Sequence, residues 1–178
     1  MKRWTPTEVL VAVGLASLAV AVAVAASPGG RRKAGQLFSL AQLSVSGSAA
    51  RLGLDNTPDA VARRRLAALT AAVLDPLQRK LRGRLRVTSG FRTPQVNAAI
   101  SGSSSMSQHM SGEAADVMAD GMTAYELAQL VLSMRLPFDQ MIWYAPERGG
   151  HLHLSYTAER RNRGEVKHAP AGGGYTKG

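Results

Sequence analysis

Three of the four histidines in this chain of 178 residues lie in two short polar segments that could bind a metal ion. The first segment, SMSQHMSGEAADV at residues 105–117, has His109 and Asp116 separated by small residues that would let a loop and a strand approach each other. The second, HLHLSY at residues 151–156, has His151 and His153 two positions apart, so a strand would direct both imidazoles to one face.

These residue types indicate metal-assisted hydrolysis. A catalytic zinc ion has three protein ligands, commonly His nitrogen and carboxylate oxygen, and a water in the fourth position. His109, Asp116 and one histidine of the second segment supply such a set, although residue identity does not distinguish zinc from another divalent metal. The chain has no cysteine, which excludes disulfides, thiolate zinc sites and a cysteine nucleophile.

The elements that must position these residues can be read from the sequence pattern. LRVTSG (85–90), AADVMA (114–119), FDQMIWY (138–144) and HLHLSY predict strands, the last two joined as a hairpin by APERGG. Helices are predicted after Thr57-Pro58, after Pro94, and from Thr123, where Glu126 would complete a capping box. Helices first and strands late predict an α+β domain with a small antiparallel sheet flanked by helices.

The first residues have the composition of a membrane-directed segment. Lys2 and Arg3 precede an uncharged apolar run from Val9 to Ala26, which predicts an N-terminal apolar helix within residues 1–27. We favour an uncleaved transmembrane segment over a signal peptide because Arg31, Arg32 and Lys33 follow the run, and a buried soluble helix ranks third. Residues 28–36 read as a linker.

The charge balance of the chain is strongly basic. The net charge of +10 favours anionic partners such as an anionic lipid surface or the acidic polymers of a bacterial wall. No specific nucleic acid is expected, because aromatic residues do not interleave with the charges. Residues 157–178 are rich in glycine and basic residues and poor in apolar ones, which predicts a basic flexible tail.

The spacing of the two polar segments resembles that of the zinc D-alanyl-D-alanine carboxypeptidases and dipeptidases, which share their fold with the hedgehog signalling domain. The resemblance covers residues 37–156 and is closest to the branch found in phage lysins and bacterial cell-wall peptidases. The segment FSLAQLSVSGSAARLGLDNTP of this chain resembles the leader sequence of that branch. The matching positions are Ser107, His109, Gly112, Ala114 and Asp116, then Ser89-Gly90-Phe91-Arg92, and finally His151-Leu152-His153.

The resemblance implies roles for individual residues. His109, Asp116 and His153 would bind one Zn²⁺, Arg92 would hold the substrate carbonyl or the oxyanion formed from it, and Ser107 would help to position substrate. Related enzymes have a glutamate general base just before the last ligand, often in the preceding strand, where this chain has Trp143-Tyr144. The base is therefore either Glu147 of the hairpin or His151.

The expected function is hydrolysis of peptide bonds in bacterial peptidoglycan, by a carboxypeptidase or an endopeptidase acting on a D-amino-acid-containing stem or cross-link. A second hypothesis is a catalytically silent zinc-binding module that docks on the wall or on a partner protein. A third makes the chain a phage virion component that contacts other virion proteins. The expected location is accordingly the cell envelope, by membrane association or export, or the virion.

Overall fold

The computed structural model describes residues 37–178, which form a six-stranded sheet flanked by helices. The α-helices α1 to α7 are Leu40–Leu43, Gly47–Leu52, Ala60–Leu69, Asp75–Lys80, Pro94–Ala98, Gln108–Ser111 and Ala124–Ser133. The strands β1 to β6 are Leu85–Ser89, Ala114–Ala119, Gln140–Tyr144, Leu152–Ser155, Glu165–Ala169 and Thr176–Lys177. A π-helical turn, Thr70–Leu74, joins α3 to α4, and a 3-10 turn, Pro146–Arg148, lies between β3 and β4.

The sheet has the strand order β1-β2-β4-β3-β5-β6. Its strand pairs are antiparallel except for β3 and β5, which run parallel. The prediction of a sheet flanked by helices is confirmed, but the sheet is mixed rather than antiparallel throughout. The parallel pair arises because the loop after β4 turns around the start of β3 and places β5 on the opposite edge of β3.

The prediction of a flexible tail at residues 157–178 is wrong for its middle part. Glu165–Ala169 forms β5 in full register with β3, from Gln140 opposite Glu165 to Tyr144 opposite Ala169. Val166 packs against the core and Ala169 is buried, while the polar residues Lys167 and His168 lie between them. The sequence pattern did not predict this strand, because it contains only two apolar residues. Backbone pairing with β3, which is distant in sequence, stabilises it. The predicted boundaries of the domains remain predictions.

One face of the sheet carries the hydrophobic core. Leu152 and Leu154 of β4, Val117 of β2 and Met141 of β3 are fully buried. Helix α7 packs across β2, β3 and β4 on this face, with Leu127 among its buried residues. Because side chains alternate along a strand, the residues between these positions must point to the other face, where the polar residues gather.

Two local details of the first long helix differ from the sequence pattern. Helix α3 begins after Asp59, whose side chain accepts a hydrogen bond from the Ala62 amide at 2.7 Å, and not at Thr57. Thr57 instead donates to the side chain of Asp55. Pro76 does not end the helix: a π-helical turn lies just before it, and α4 continues through the proline.

The predicted apolar helix and linker, residues 1–36, lie outside the described residues. Among residues 37–178, no helix combines the length and the apolar character that a bilayer crossing requires.

Candidate metal centre

Two adjacent strands place Asp116 and His153 side by side on the sheet face opposite the core. Asp116 of β2 lies directly across from His153 of β4 in the antiparallel register. The neighbours of His153, Leu152 and Leu154, are fully buried on the core face, as the alternation of HLHLSY predicts. The core therefore fixes which face the ligands occupy.

The third side chain, His109, comes from the short helix α6. This helix ends at Gly112, which has a left-handed backbone conformation with φ of 76°. A Cβ atom at Gly112 would lie 2.6 Å from the carbonyl oxygen of Ala62 in α3. The glycine of the motif thus lets α6 pack against α3 and turn directly into β2, which carries Asp116.

The three side chains converge on one point. His109 Nε2 lies 3.2 Å from Asp116 Oδ1 and 3.2 Å from His153 Nδ1, and His153 Nδ1 lies 3.0 Å from Asp116 Oδ1. All three residues are buried. The structure therefore brings together the ligand set that the family resemblance implies.

The chemistry of these atoms fits a metal ion. His109 Nδ1 lies 2.7 Å from the carbonyl oxygen of Gly90, and because a carbonyl only accepts, Nδ1 carries the proton in the neutral imidazole. The lone pair of Nε2 then faces a carboxylate oxygen, an arrangement that a cation stabilises. The spacings also match the edge of a tetrahedron around zinc, about 3.3 Å for bonds of about 2.0–2.1 Å.

Gly90 supports this geometry from behind the ligands. Its carbonyl orients the His109 ring, the kind of outer contact that fixes the tautomer of a metal-binding histidine. A Cβ atom at Gly90 would overlap the backbone carbonyl of Leu43. The glycine in Ser89-Gly90-Phe91-Arg92 is thus explained by a close backbone approach.

Arg92 contacts the metal centre through Asp116. Its Nη2 donates to Asp116 Oδ2 at 2.6 Å, and its Nε donates to Ser89 Oγ at 2.9 Å. Burial alone would raise the pKa of Asp116, but the contacts with His109 and His153 hold that pKa well below its usual range. Burial lowers the pKa of His153. Asp116 is thus a carboxylate and His153 a neutral imidazole at neutral pH, the forms that bind metal.

The two candidates for the general base lie in different surroundings. His151 lines the cavity over the metal centre, with Nε2 4.0 Å from Asp116 Oδ1, and its ring stacks on Tyr144 at 4.3 Å between centroids. Burial lowers the pKa of His151, which favours the neutral form that can accept a proton. Glu147 is exposed in the 3-10 turn and is not among the residues that line the cavity.

The cavity has a volume of about 800 Å³, enough for a peptide of a few residues. Ser107 lines it directly before α6, and Arg92 lines it beside the ligands. Asp116 is the one carboxylate among the lining residues of the described chain. Arginine and lysine side chains outnumber carboxylates in this lining, and the wall includes residues of the segment after β4.

Sequence reasoning missed Asp139, a fully buried carboxylate that holds the cavity wall. Both Arg160 and Arg163 bind it through paired N–H groups, and Gln108 donates to it at 3.0 Å. Burial would raise the pKa of Asp139, but the hydrogen bonds from Arg160 and Arg163 lower it. The available signal was a single acid inside the apolar stretch FDQMIW, with a cluster of arginines shortly downstream.

Comparison with known proteins gives one family. No curated protein matches the chain. The family Peptidase M15 matches residues 36–155, a range that contains the three candidate ligands and His151. This match confirms the resemblance read from the motifs, and it extends over well more than half of the sequence. The chain belongs to the Peptidase M15 family.

Proposed function

We propose that this protein is a zinc peptidase that hydrolyses peptide bonds of bacterial peptidoglycan, in a stem or cross-link that contains a D-amino acid. The family assignment supports a zinc-dependent peptidase. The observation that carries the proposal is the convergence of His109 Nε2, Asp116 Oδ1 and His153 Nδ1 in the floor of an open cavity. The wall substrate rests on the motif resemblance and on the cationic character of the chain.

Zinc held by these three residues would leave one position for water and lower the pKa of that water to about 7. His151, neutral and facing the same cavity, would accept the proton of the attacking water and return it to the leaving amine. Arg92 would direct the N–H groups not used by Asp116 and Ser89 toward the developing oxyanion. Ser107, which also lines the cavity, would help to position the peptide.

The proposed location follows from the substrate. Peptidoglycan lies outside the cytoplasmic membrane, so the protein would act in the cell envelope, with residues 1–27 as its membrane segment. A peptidase carried in a phage virion, in contact with other virion proteins, would meet the same substrate during entry. Detection of the chain in purified virions would favour the virion, and detection only in bacterial membranes would favour the envelope.

A second candidate function is a catalytically silent zinc-binding module that docks on the wall or on a partner. The observation that favours it is the lack of a second carboxylate among the described residues that line the cavity. If His151 cannot act as the base, this site would bind metal and peptide without cleavage.

The deciding experiment combines metal content with product analysis. The full chain, purified in detergent, is assayed for bound zinc and incubated with peptidoglycan, and the released peptides are identified by mass spectrometry with and without chelator. Chelator-sensitive release of defined peptides is expected, and their ends would separate a carboxypeptidase from an endopeptidase. Stoichiometric zinc without any release would reject the peptidase in favour of the silent module.

A further inference from the structure

The segment that follows the family match builds one wall of the metal-site cavity. Arg163, Lys167 and Tyr175 all line the cavity, although they lie beyond residue 155. β6 pairs with β5 so that Lys177 lies opposite Lys167. Tyr175, directly before β6, is therefore brought back to the cavity formed by the matched domain.

Most of the positive charge around the cavity is already neutralised within the protein. Four arginine and lysine side chains line the cavity. Arg92 pairs with Asp116 at 2.6 Å, Arg163 with Asp139 at 2.6 Å, and Lys167 with Glu165 at 2.7 Å. Three of the four cationic side chains therefore have a carboxylate partner within the protein.

Arg148 is the exception, since no carboxylate of the described residues pairs with it. Its Nη1 donates to the carbonyl of Gly174 at 3.0 Å. Its guanidinium carbon lies 5.3 Å from the ring centroid of Tyr144 and 5.5 Å from that of Tyr175. Two aromatic rings and one carbonyl hold the guanidinium in place, and they leave most of its N–H donors unused.

Arg148 is also close to the reacting groups. The Tyr144 ring that contacts it stacks on His151, with 4.3 Å between the centroids. His151 Nε2 in turn lies 4.0 Å from Asp116 Oδ1. A group bound by Arg148 would thus lie in the same cavity as the bond to be cut.

We propose that Arg148 binds a carboxylate of the peptide substrate, and that the segment 170–178 positions it through Tyr175 and Gly174. The proposal rests on the proposed peptidase function. A guanidinium binds a carboxylate with two parallel hydrogen bonds, which makes this pair both strong and directional. The carboxylate belongs either to the carboxyl terminus of the peptide or to an acidic residue beside the scissile bond.

The test uses the full chain loaded with zinc and a set of matched peptides that contain D-alanine and one acidic residue. The peptides have a carboxylate or a carboxamide at the carboxyl terminus, at the acidic residue, or at both. We expect one of the two amidations to raise KM about tenfold in the wild type. The sensitive position identifies the source of the carboxylate.

The variant Arg148→Gln should raise KM about tenfold for the carboxylate peptide, change kcat less than about twofold, and leave the amidated peptide unaffected. Arg148→Lys should retain part of the preference. Tyr175→Leu should raise the same KM about threefold, because it removes one ring from the guanidinium. Arg63→Gln, an exposed arginine of α3 outside the cavity, is the matched control and should behave as the wild type.

Two outcomes overturn the proposal: equal KM values for carboxylate and carboxamide peptides in the wild type, or an Arg148→Gln variant that affects both forms equally. Calorimetric binding of the same peptides to chelator-treated protein separates this failure from failure of the proposed reaction. Absence of any hydrolysis by the zinc-loaded wild type would reject the reaction. In that case, tighter binding of the carboxylate peptide that depends on Arg148 would still support the carboxylate site. Equal binding of the carboxylate and carboxamide peptides would reject the carboxylate site as well.

Discussion

At the scale of single residues, the two oxygens of Asp116 have separate partners. Oδ1 faces His109 and His153, while Oδ2 accepts a short hydrogen bond from Arg92. Arg92 thereby fixes the rotation of the carboxylate without occupying the oxygen that would bind the metal. This division explains how one arginine can orient a ligand and still lie in the wall of the substrate cavity.

Loss of a ligand should abolish both metal binding and activity. His109→Ala removes one of three ligand atoms and should lower zinc affinity by at least about a hundredfold, since even outer-sphere changes cost about ten- to a hundredfold. Equilibrium dialysis followed by metal analysis measures the effect. His168→Ala is the matched control, because this histidine stacks on Trp143 on the other sheet face and should retain bound zinc. Retention of zinc by His109→Ala would contradict the assigned centre.

The general base can be identified by comparing two substitutions. His151→Ala should lower kcat about 10²- to 10⁴-fold while retaining stoichiometric zinc, because it removes a proton acceptor and no ligand. Glu147→Gln should change kcat less than about twofold, since Glu147 is exposed and lies outside the cavity lining. Single-turnover kinetics and zinc content report the two properties separately. A large loss in Glu147→Gln alone would assign the base to the hairpin carboxylate instead.

At the scale of elements, close backbone approaches explain the motif glycines. Gly90 lies against the chain at Leu43, and Gly112 lies against α3. Both glycines act on His109, since the carbonyl of Gly90 contacts its ring and Gly112 ends the helix that carries it. The position of Gly112 in the metal motif is therefore explained by the packing of α6 between α3 and β2.

Gly112→Ala should destabilise the fold through two separable effects. The left-handed φ of 76° costs about 1–2 kcal/mol for a residue with a Cβ, and the contact with the Ala62 carbonyl adds about 1–3 kcal/mol. Denaturant unfolding measures the sum. Gly53→Ala is the control, because Gly53 has φ of 64° with no atom near its Cβ position and should show the backbone cost alone. Equal losses in both variants would show that α3 yields to the added methyl group.

The elements around the site were largely predictable, and the reason is local. AADVMA coincides with β2, and Thr123 with Glu126 forms the capping box of α7. Both signals depend on neighbouring residues only. β5 could not be predicted, because its stabilisation comes from pairing with β3 and from the arginines that bind Asp139, both distant in sequence. The parallel orientation of β5 follows from the path of the loop between β4 and β5.

At the scale of the whole molecule, Asp139 joins the sheet to the cavity. Its amide donates to the carbonyl of Ser155 in β4, and its carbonyl accepts from the amide of Glu165 in β5. Its carboxylate binds Arg160, Arg163 and Gln108, the residue before the ligand His109. One buried residue thus connects the hairpin, the segment after it and the metal centre, a convergence of distant residues that no local pattern reveals.

Asp139→Asn should destabilise the protein by about 1.5–3 kcal/mol at pH 7, because it weakens the charge-assisted hydrogen bonds from two half-exposed arginines. The folded-state pKa of Asp139 lies below its unfolded value of about 3.9, so its contribution is present above about pH 4 and is lost as pH falls further. The difference between wild type and variant, measured by denaturant unfolding, should therefore shrink between pH 7 and about pH 3.

Asp120→Asn is the control for this pH dependence. Its carboxylate pairs with Arg86 at 3.0 Å, but 61% of the side chain is exposed to solvent. We expect a change within about 0.5 kcal/mol at every pH. A pH-independent loss in Asp139→Asn would contradict the charge pairing and would point to packing instead.

The register of β4 between β2 and β3 has a consequence for folding errors. A slip by one residue would turn His153 toward α7 and place Leu152 or Leu154 beside Asp116, so that the core and the ligand set would be lost together. Only a molecule with the correct strand alignment would bring the three side chains together, so a bound metal ion would mark the native register. Misaligned molecules would remain metal-free, open to proteolysis, and distinguishable from native ones by their metal content alone.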